Sequence, residues 1–372
     1  MGAIYITGSG LFTPEQSISN DELVASYNEY ARRHNEANAT AIEAGESEAM
    51  PLSSSEFIVK ASGIQSRYVV DKKGVLDVER MRPILRRRSE DEPSIQCEMA
   101  VSAARQAIAA AGREAADIDA VIVACSNFQR AYPAIAVEVQ QALGIDGWAF
   151  DMNVACSSAT FGLQVATDTI ARDNARAVLV ISPEICSGHL NFRNRDCHFI
   201  FGDACTALLV EDRPAPGAFE ILGTRLKTRF SSNIRNDQGF LNAAEDPPRS
   251  DDERLFRQQG RKVFKDVVPM VNELILGHLD SLDLSAGELK RLWLHQANLS
   301  MNQLIAKRVL GHEPSSGEAP VILDRYANTS SAGSIIAFHQ HHDDFEAGDT
   351  GVICSFGAGY SAGSVVVRRT AS

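Results

Sequence analysis

The decapeptides FDMNVACSSA (residues 150–159) and LDRYANTSSA (residues 323–332) align without a gap. Asp151 meets Asp324, the Ser-Ser-Ala triplets at 157–159 and 330–332 coincide, and Cys156 and Asn328 fall one position apart. The match continues outward, so that residues 94–182 form one copy of a weak internal repeat and residues 263–355 the other. In the first copy an alanine-rich helix, SIQCEMAVSAARQAIAAAG, stops at Gly112, and the strand DIDAVIVA follows with apolar Ile118, Val121 and Val123. In the second, a helix over residues 263–279 precedes ELKRLWLH, where Leu289, Leu292 and Leu294 take the matching positions and His295 stands at the strand end. Each copy continues with a helix ending in Leu-Gly (Gly144, Gly311), a second strand that runs into the quoted decapeptide, and a third strand, AVLVIS or GVICSF.

A βα-rich unit written twice predicts an α/β protein of two pseudo-repeated halves, residues 1–212 and 213–372, with stacked sheets and helices both outside and buried between them. Pseudo-twofold symmetry brings equivalent strand ends together, and loops at strand ends are where α/β folds build sites. Cys156, His295 and Asn328 are therefore expected in one place. The seam falls in EDRPAPG, residues 211–217, where two prolines and a glycine end the pattern. Residues 27–55 and 71–93 interrupt the repeat and read as a partly helical cap.

The bulk numbers bound the class of protein without naming its chemistry. With 372 residues, 44% of them hydrophobic, the chain can bury a large core. Seven cysteines without scaffold-like spacing, and a start that reads as strand and turn, predict a reducing, cytoplasmic setting. Charged residues interrupt every apolar run well short of the ~20 needed to span a bilayer, so no membrane insertion is expected. A net charge of −12 disfavours nucleic acid as a partner, while leaving room for a local basic patch that receives an acidic protein.

In NVACSSATFGLQVATDTIARD a turn of small residues leads into helix-compatible sequence, which puts Cys156 at or just before a helix N-terminus. The partial positive charge there is expected to lower the thiol pKa and favour the nucleophilic thiolate. An isolated cysteine is more often a core residue, and the other six read that way. His295, in LHQANLS, and Asn328 would singly be structural or turn residues. Together an imidazole and a carboxamide can donate hydrogen bonds to one developing thioester enolate, with no metal or cofactor required.

ACSSA, HQAN and NTSSAGS, in that order, resemble the Cys-His-Asn site of the β-ketoacyl-ACP synthase III family, and the likeness covers nearly the whole chain. ITGSGLFTPE resembles that family's first strand, ASGIQSRY its glycine turn, FIFGDACTALL its mid-chain strand and FGAGYSAGSVVVR its C-terminus. The resemblance implies a thiolase-like, α-β-α-β-α layered fold with a cap insertion. It also implies acyl-CoA as primer donor, malonyl-ACP as extender and decarboxylative condensation. Carried over, Cys156 is the nucleophile, His295 and Asn328 stabilise the enolate, and the backbone N–H groups of Cys156 and Ala358 form the oxyanion hole. Asn298 and Gly260 match positions along the pantetheine arm, and Phe57 and Arg195 match the pair beside the CoA adenine. Tyr132-Pro133 is similar to a pair that a neighbouring subunit inserts into the acyl pocket, which implies a homodimer. Lys265, Lys307 and Arg308 match basic positions that dock the acyl carrier protein. The chain departs from the pattern with Ala358 for a usual glycine, Phe57 for a frequent tryptophan and Ala61 for a phosphate-binding arginine. Residues 27–55, longer than in acetyl-primed members, are expected to cap a tunnel for a medium or long acyl primer.

Other features read more plainly. Gly8-Ser9-Gly10 lacks the spacing of a nucleotide fingerprint and is taken as a turn. The tract HQHHDD at residues 339–344 reads as a surface helix end, and Arg86 to Arg88 as a solvated run. Three rivals are weighed: acyl transfer from Cys156 to an oxygen, nitrogen or small aromatic acceptor, as in specialised-metabolite relatives; head-to-head condensation of two acyl thioesters, which the acid-free stretch of residues 126–137 disfavours; and a non-catalytic partner subunit, against which the intact nucleophile argues.

Overall fold

The computed structural model describes residues 2–371 and lays the two repeats on the two halves of one nine-stranded sheet. The first half contributes β1 (Tyr5–Phe12), β4 (Ala120–Ala124), β5 (Trp148–Met152), β6 (Ala177–Ile185) and β7 (Asp203–Glu211). Between β1 and β4 lies a two-stranded ribbon, β2 (Gln16–Ser19) with β3 (Ser66–Val69). The second half contributes β8 (Phe219–Ser231), β11 (Leu289–Leu294), β12 (Thr350–Gly357) and β13 (Gly359–Arg369), with a ribbon of β9 (Ile234–Arg235) and β10 (Arg257–Gln258). The order is β11-β12-β13-β8-β1-β7-β6-β4-β5. β1 and β8 join the halves through only two residue pairs, Tyr5 with Glu220 and Ile6 with Phe219. The stacked sheets expected from the repeat are thus continuous at that narrow junction.

Burial explains the layers. Helices α7 (Ser158–Ala171) and α12 (Ala332–Gln340) lie between the half-sheets, their Leu163, Ala166, Ile335 and Phe338 sharing a core with Ile122, Val180, Trp293 and Val365. Every residue of α12 from Ala332 to Phe338 is buried, as a helix walled on all sides requires. Outside the first half, α5 (Ile95–Ala110) and α6 (Ile135–Leu143) cover the other face of β4, β6 and β7. Outside the second, α9 (Gly260–Asp280) and α10 (Leu299–Leu310) cover β11, β12 and β13. The nine residues of β6, AVLVISPEI, are all buried, as expected of a strand covered on both faces.

Two local expectations fail for identifiable reasons. Gly8 and Gly10 are not a turn but lie inside β1, where a Cβ would stand 2.0 Å from the carbonyl oxygens of Ala107 and Ala103. The glycines let α5 pack directly on the strand. The second strand of the C-terminal repeat is also missing: Leu323–Tyr326 forms a helical turn, α11. Its approach is satisfied by a side chain instead of a ladder, since Gln296 Oε1 accepts from the N–H groups of Ile322 (3.1 Å) and Leu323 (3.3 Å).

The cap holds α1 (Asn20–Ala37), α2 (Ala39–Glu43), α3 (Ser55–Ser62) and α4 (Lys72–Leu76), and a short α8 (Asp251–Arg254) lies between β9 and β10. Residues 27–55 begin inside α1. Leu23, Tyr27 and Ala31 of α1 and Ile58 of α3 pack with Phe192, Phe199 and Phe201 into a separate core that backs the site.

Candidate active site

Cys156 sits in a single 3-10 turn, Ala155–Ser157, between β5 and α7, where the sequence placed it. Asn153 Oδ1 accepts from the Ala155 N–H (2.9 Å), and Ser158 Oγ accepts from the Val154 N–H (2.8 Å). These bonds hold Ala155 at φ +48°, a left-handed conformation that costs a non-glycine residue of order 1 kcal/mol or more and clusters at functional sites. The turn presses Cys156 against the end of β12, so closely that a Cβ on Gly357 would lie 2.6 Å from its Cβ and 2.9 Å from its Sγ.

The expected drop in thiol pKa does not occur. Burial pushes the Cys156 thiol up to about 11, against the opposing pull of the Ser330 side chain and the backbone N–H groups of Ala358 and Cys156. Desolvation exceeds whatever a helix N-terminus supplies. The two N–H groups assigned to an oxyanion hole nonetheless both act to favour the thiolate, and the alanine at 358 does not prevent it.

His295 follows β11 and extends its parallel pairing, its N–H donating to the Cys354 carbonyl at 2.7 Å. The ring stands edge-on to Phe356 at 5.2 Å and is 1% exposed. Burial depresses its pKa to about 4, offset in part by the Ser330 backbone, so the imidazole is neutral at pH 7. Asn328 is pinned on both sides of its backbone, donating to the Ile200 carbonyl (2.9 Å) and accepting from Gly202 (3.1 Å). Its Oδ1 accepts from the Ser330 N–H at 2.8 Å, which leaves the NH2 as the free, donating end.

The three side chains line one cavity of about 690 Å3 whose walls include Phe199, Phe201, Phe256, Phe264, Met301 and Phe356. Phe57, Gly260 and Asn298 line it as well. The Asn298 amide is already engaged, donating to the Ala61 carbonyl (2.7 Å) and accepting from Met301 N–H (3.2 Å). Arg195 is absent from the lining: its guanidinium stacks on the Phe57 ring. Residues 27–55 supply no part of the wall; Tyr27 and Ala31 share a core with Ile58 of α3, the helix whose Phe57, Ala61 and Ser62 do line it. Tyr132 is 83% exposed and away from this chain's own cavity. Lys307 pairs with Glu313, whereas Lys265 edges a small groove beside α9.

Sequence reasoning missed Ser330, which fixes Asn328 Oδ1 through its N–H and acts on both Cys156 and His295, although it belongs to the matched Ser-Ser-Ala triplet. The histidine tract is absorbed by packing: His339 bonds Ser9 (2.8 Å), His342 stacks on Phe338, and Asp344 pairs with Arg291. Among the described residues no cluster of His, Cys, Asp or Glu could hold a metal, and no helix is long and apolar enough to cross a membrane.

A two-half layered fold with thiol, imidazole and carboxamide on one cavity defines an acyl-transferring condensing enzyme. The family model for 3-oxoacyl-(acyl-carrier-protein) synthase III matches residues 150–229, and that for its C-terminal part matches residues 279–369. A beta-ketodecanoyl-(acyl-carrier-protein) synthase of Pseudomonas aeruginosa is 61% identical over 347 residues, covering 92% of this chain and 99% of that protein. The 3-oxoacyl-(acyl-carrier-protein) synthase III of Aquifex aeolicus superposes with a TM-score of 0.77 at 24% identity, over 98% of this chain and 99% of the other. Its counterpart from P. aeruginosa gives 0.76 at 23%, over 100% and 99%. The chain belongs to the 3-oxoacyl-(acyl-carrier-protein) synthase III family, whose members use acyl-CoA and acyl carrier protein in decarboxylative condensation.

Proposed function

We propose that Cys156 takes a medium-chain acyl group from acyl-CoA and passes it to a malonyl-ACP-derived enolate. The observation that carries this reading is the convergence of Cys156, His295 and Asn328 on one cavity. The thiol adds to the thioester carbonyl, the developing oxyanion accepts from the N–H groups of Cys156 and Ala358, and CoA leaves as its thiol with the proton from Cys156. Malonyl-ACP then loses CO2. Its enolate oxygen accepts from neutral His295 and from the Asn328 NH2, its carbon attacks the acyl-Cys156 carbonyl, and the sulfur leaves as a thiolate that takes up one proton from water to restore the thiol. No metal or organic cofactor enters this balance.

For the primer, the support is the relative named for a β-ketodecanoyl product. Ten carbons less the two kept from malonate leave an octanoyl primer. Phe57, Gly260, Asn298 and Arg195 are read as contacts for the pantetheine and nucleotide of CoA, and Lys265, Lys307 and Arg308 as the carrier-protein dock. Tyr132 is read as reaching the acyl pocket of a second copy in a cytoplasmic homodimer, which suits its exposure. The test is octanoyl-CoA followed by intact mass: the chain should gain one acyl group, and Cys156→Ala none. Malonyl-ACP should then release CO2 and clear the acyl mass; clearance by water or another acceptor without CO2 would move the assignment to simple acyl transfer.

A further inference from the structure

Glu184, next to last in β6, is 0% exposed and forms no ion pair with any described Lys, Arg or His. A buried carboxylate is costly unless hydrogen bonds replace its water, and here two serines do so. Oε1 accepts from the N–H groups of Ser126 (3.0 Å) and Ser331 (3.1 Å) and from the Ser331 hydroxyl, while Oε2 accepts from the Ser126 hydroxyl (2.5 Å). The Cys186 thiol lies farther, at 3.7 Å. Ser126 follows β4 in the first half of the chain, and Ser331 caps α12 in the second.

Each serine leads to a reacting group. The Ser126 carbonyl accepts from Asn153 Nδ2 (2.8 Å), and Asn153 Oδ1 holds the N–H of Ala155, the left-handed residue before Cys156. Ser331 adjoins Ser330, whose N–H fixes Asn328 Oδ1 and whose backbone meets His295. The repeat shows that Ser331 has been redirected. Its counterpart Ser158 spends its hydroxyl inside its own turn, on Val154 N–H and the Ala155 carbonyl, whereas Ser331 turns away to the carboxylate.

We propose that Glu184 is a positioning residue for the condensation: its carboxylate braces the Cys156 turn against the Asn328 loop and so fixes where thiol, imidazole and carboxamide meet. The proposal rests on the reading of that site as catalytic. Glutamine at 184 keeps a carbonyl oxygen for both backbone N–H groups, and its amide can donate to the Ser126 hydroxyl, so the brace survives loss of charge. Methionine fills the space and accepts nothing.

The test uses the full chain with Glu184→Gln, Glu184→Met and Ser331→Ala, reading octanoyl mass on Cys156, CO2 release from malonyl-ACP, and melting temperature. Since misplacement by 1 Å can cost ~100-fold, Glu184→Met should lower kcat for condensation by about 100-fold and Ser331→Ala by about 10-fold, with KM within about twofold. Glu184→Gln should stay within about threefold of the parent. Full condensation by Glu184→Met, or equal losses in the Gln and Met variants, would overturn the brace. If the methionine variant does not fold, Ser331→Ala decides, and an unchanged kcat there overturns it. Failure of the parent chain to take acyl mass on Cys156 would instead remove the site reading beneath, and the proposal with it.

Discussion

The Arg195 guanidinium lies 3.8 Å above the centre of the Phe57 ring, and its Nε donates to the Leu52 carbonyl of the cap at 2.7 Å. If these two residues flank the CoA adenine, their own stack fills the slot. A flat ring between them needs about 7 Å, twice a van der Waals separation of ~3.5 Å, so Arg195 must leave Phe57 and release Leu52. Breaking a cation–π contact costs roughly 0.5–2 kcal/mol, which offsets much of what stacking on adenine returns. Arg195→Ala should therefore change KM for octanoyl-CoA by less than about tenfold and leave KM for octanoyl-pantetheine unaltered. A rise of ~100-fold confined to the CoA substrate would show a slot already open for the nucleotide.

The thiol itself gives a second prediction. With Cys156 held up to about 11 and His295 neutral, the resting site at pH 7 is a thiol beside an imidazole, not an ion pair. Alkylation by iodoacetamide should rise about tenfold per pH step through pH 8 to 10, following the thiolate fraction. Intact mass with Cys156→Ala as the blank isolates this site from the six buried cysteines. A plateau reached by pH 8 would mean that a thiolate is already stabilised.

Gly357 permits the close approach of β12 to the nucleophile. In Gly357→Ala the new Cβ would stand 2.6 Å from Cys156 Cβ, and β12 is held by β13 at this residue and by β11 as far as Cys354, so the 3-10 turn must shift. Acylation should fall by about 100-fold with the melting temperature little changed. Gly287→Ala is the control, because its nearest neighbour is Ser285 Oγ at 3.9 Å. Equal acylation by both variants would mean that the turn tolerates displacement.

The parts of this site that the sequence displays are those repeated or periodic. Matching DIDAVIVA to ELKRLWLH places His295 at the end of β11, and matching the two decapeptides places Asn328 near Cys156, although the helical turn α11 and not a strand leads into it. What stays hidden depends on contacts between distant segments. The helical α11 arises because the Gln296 side chain takes the N–H groups a strand partner would have taken. The sign of the thiol shift is set by walls drawn from the whole chain, and a turn-plus-helix motif carries no measure of desolvation. Glu184 shows only as a lone acid in an apolar strand, a signal that does not say which serines it will meet.

Carrier docking should separate the three basic residues by their local pairing. Lys307 is bound to Glu313, whereas none of the described carboxylates pairs with Lys265 or Arg308. Reversal of an unpaired charge at an interface weakens association more than reversal of one already compensated. Lys265→Glu and Arg308→Glu should raise KM for malonyl-ACP by about five- to tenfold, and Lys307→Glu by less, with acylation from octanoyl-CoA unchanged in all three. Loss of acylation in step with condensation would place the effect in folding, not docking.

Stability should fall on mild acidification, and the direction follows from which groups are depressed. Burial lowers His189, His198, His278 and His295 from 6.5 to about 4. Above pH 6.5 each is neutral folded or unfolded. Below it the unfolded chain binds a proton that the folded chain refuses, so stability drains between pH 6.5 and 4, by on the order of 3 kcal/mol for each fully buried ring. Asp203 acts oppositely: desolvation raises its carboxyl from 3.8 to about 6, despite bonds from Ser187 and Val70, so the folded state gains a proton first and is favoured as pH falls through 6. Asp151, which burial also raises, acts in the same sense, but two carboxyls cannot offset four imidazoles. Melting temperature should decline from pH 7 to pH 5, and more steeply in Asp203→Asn, which lacks the opposing gain. A flat profile over that interval would mean that the buried rings take up protons without leaving their places.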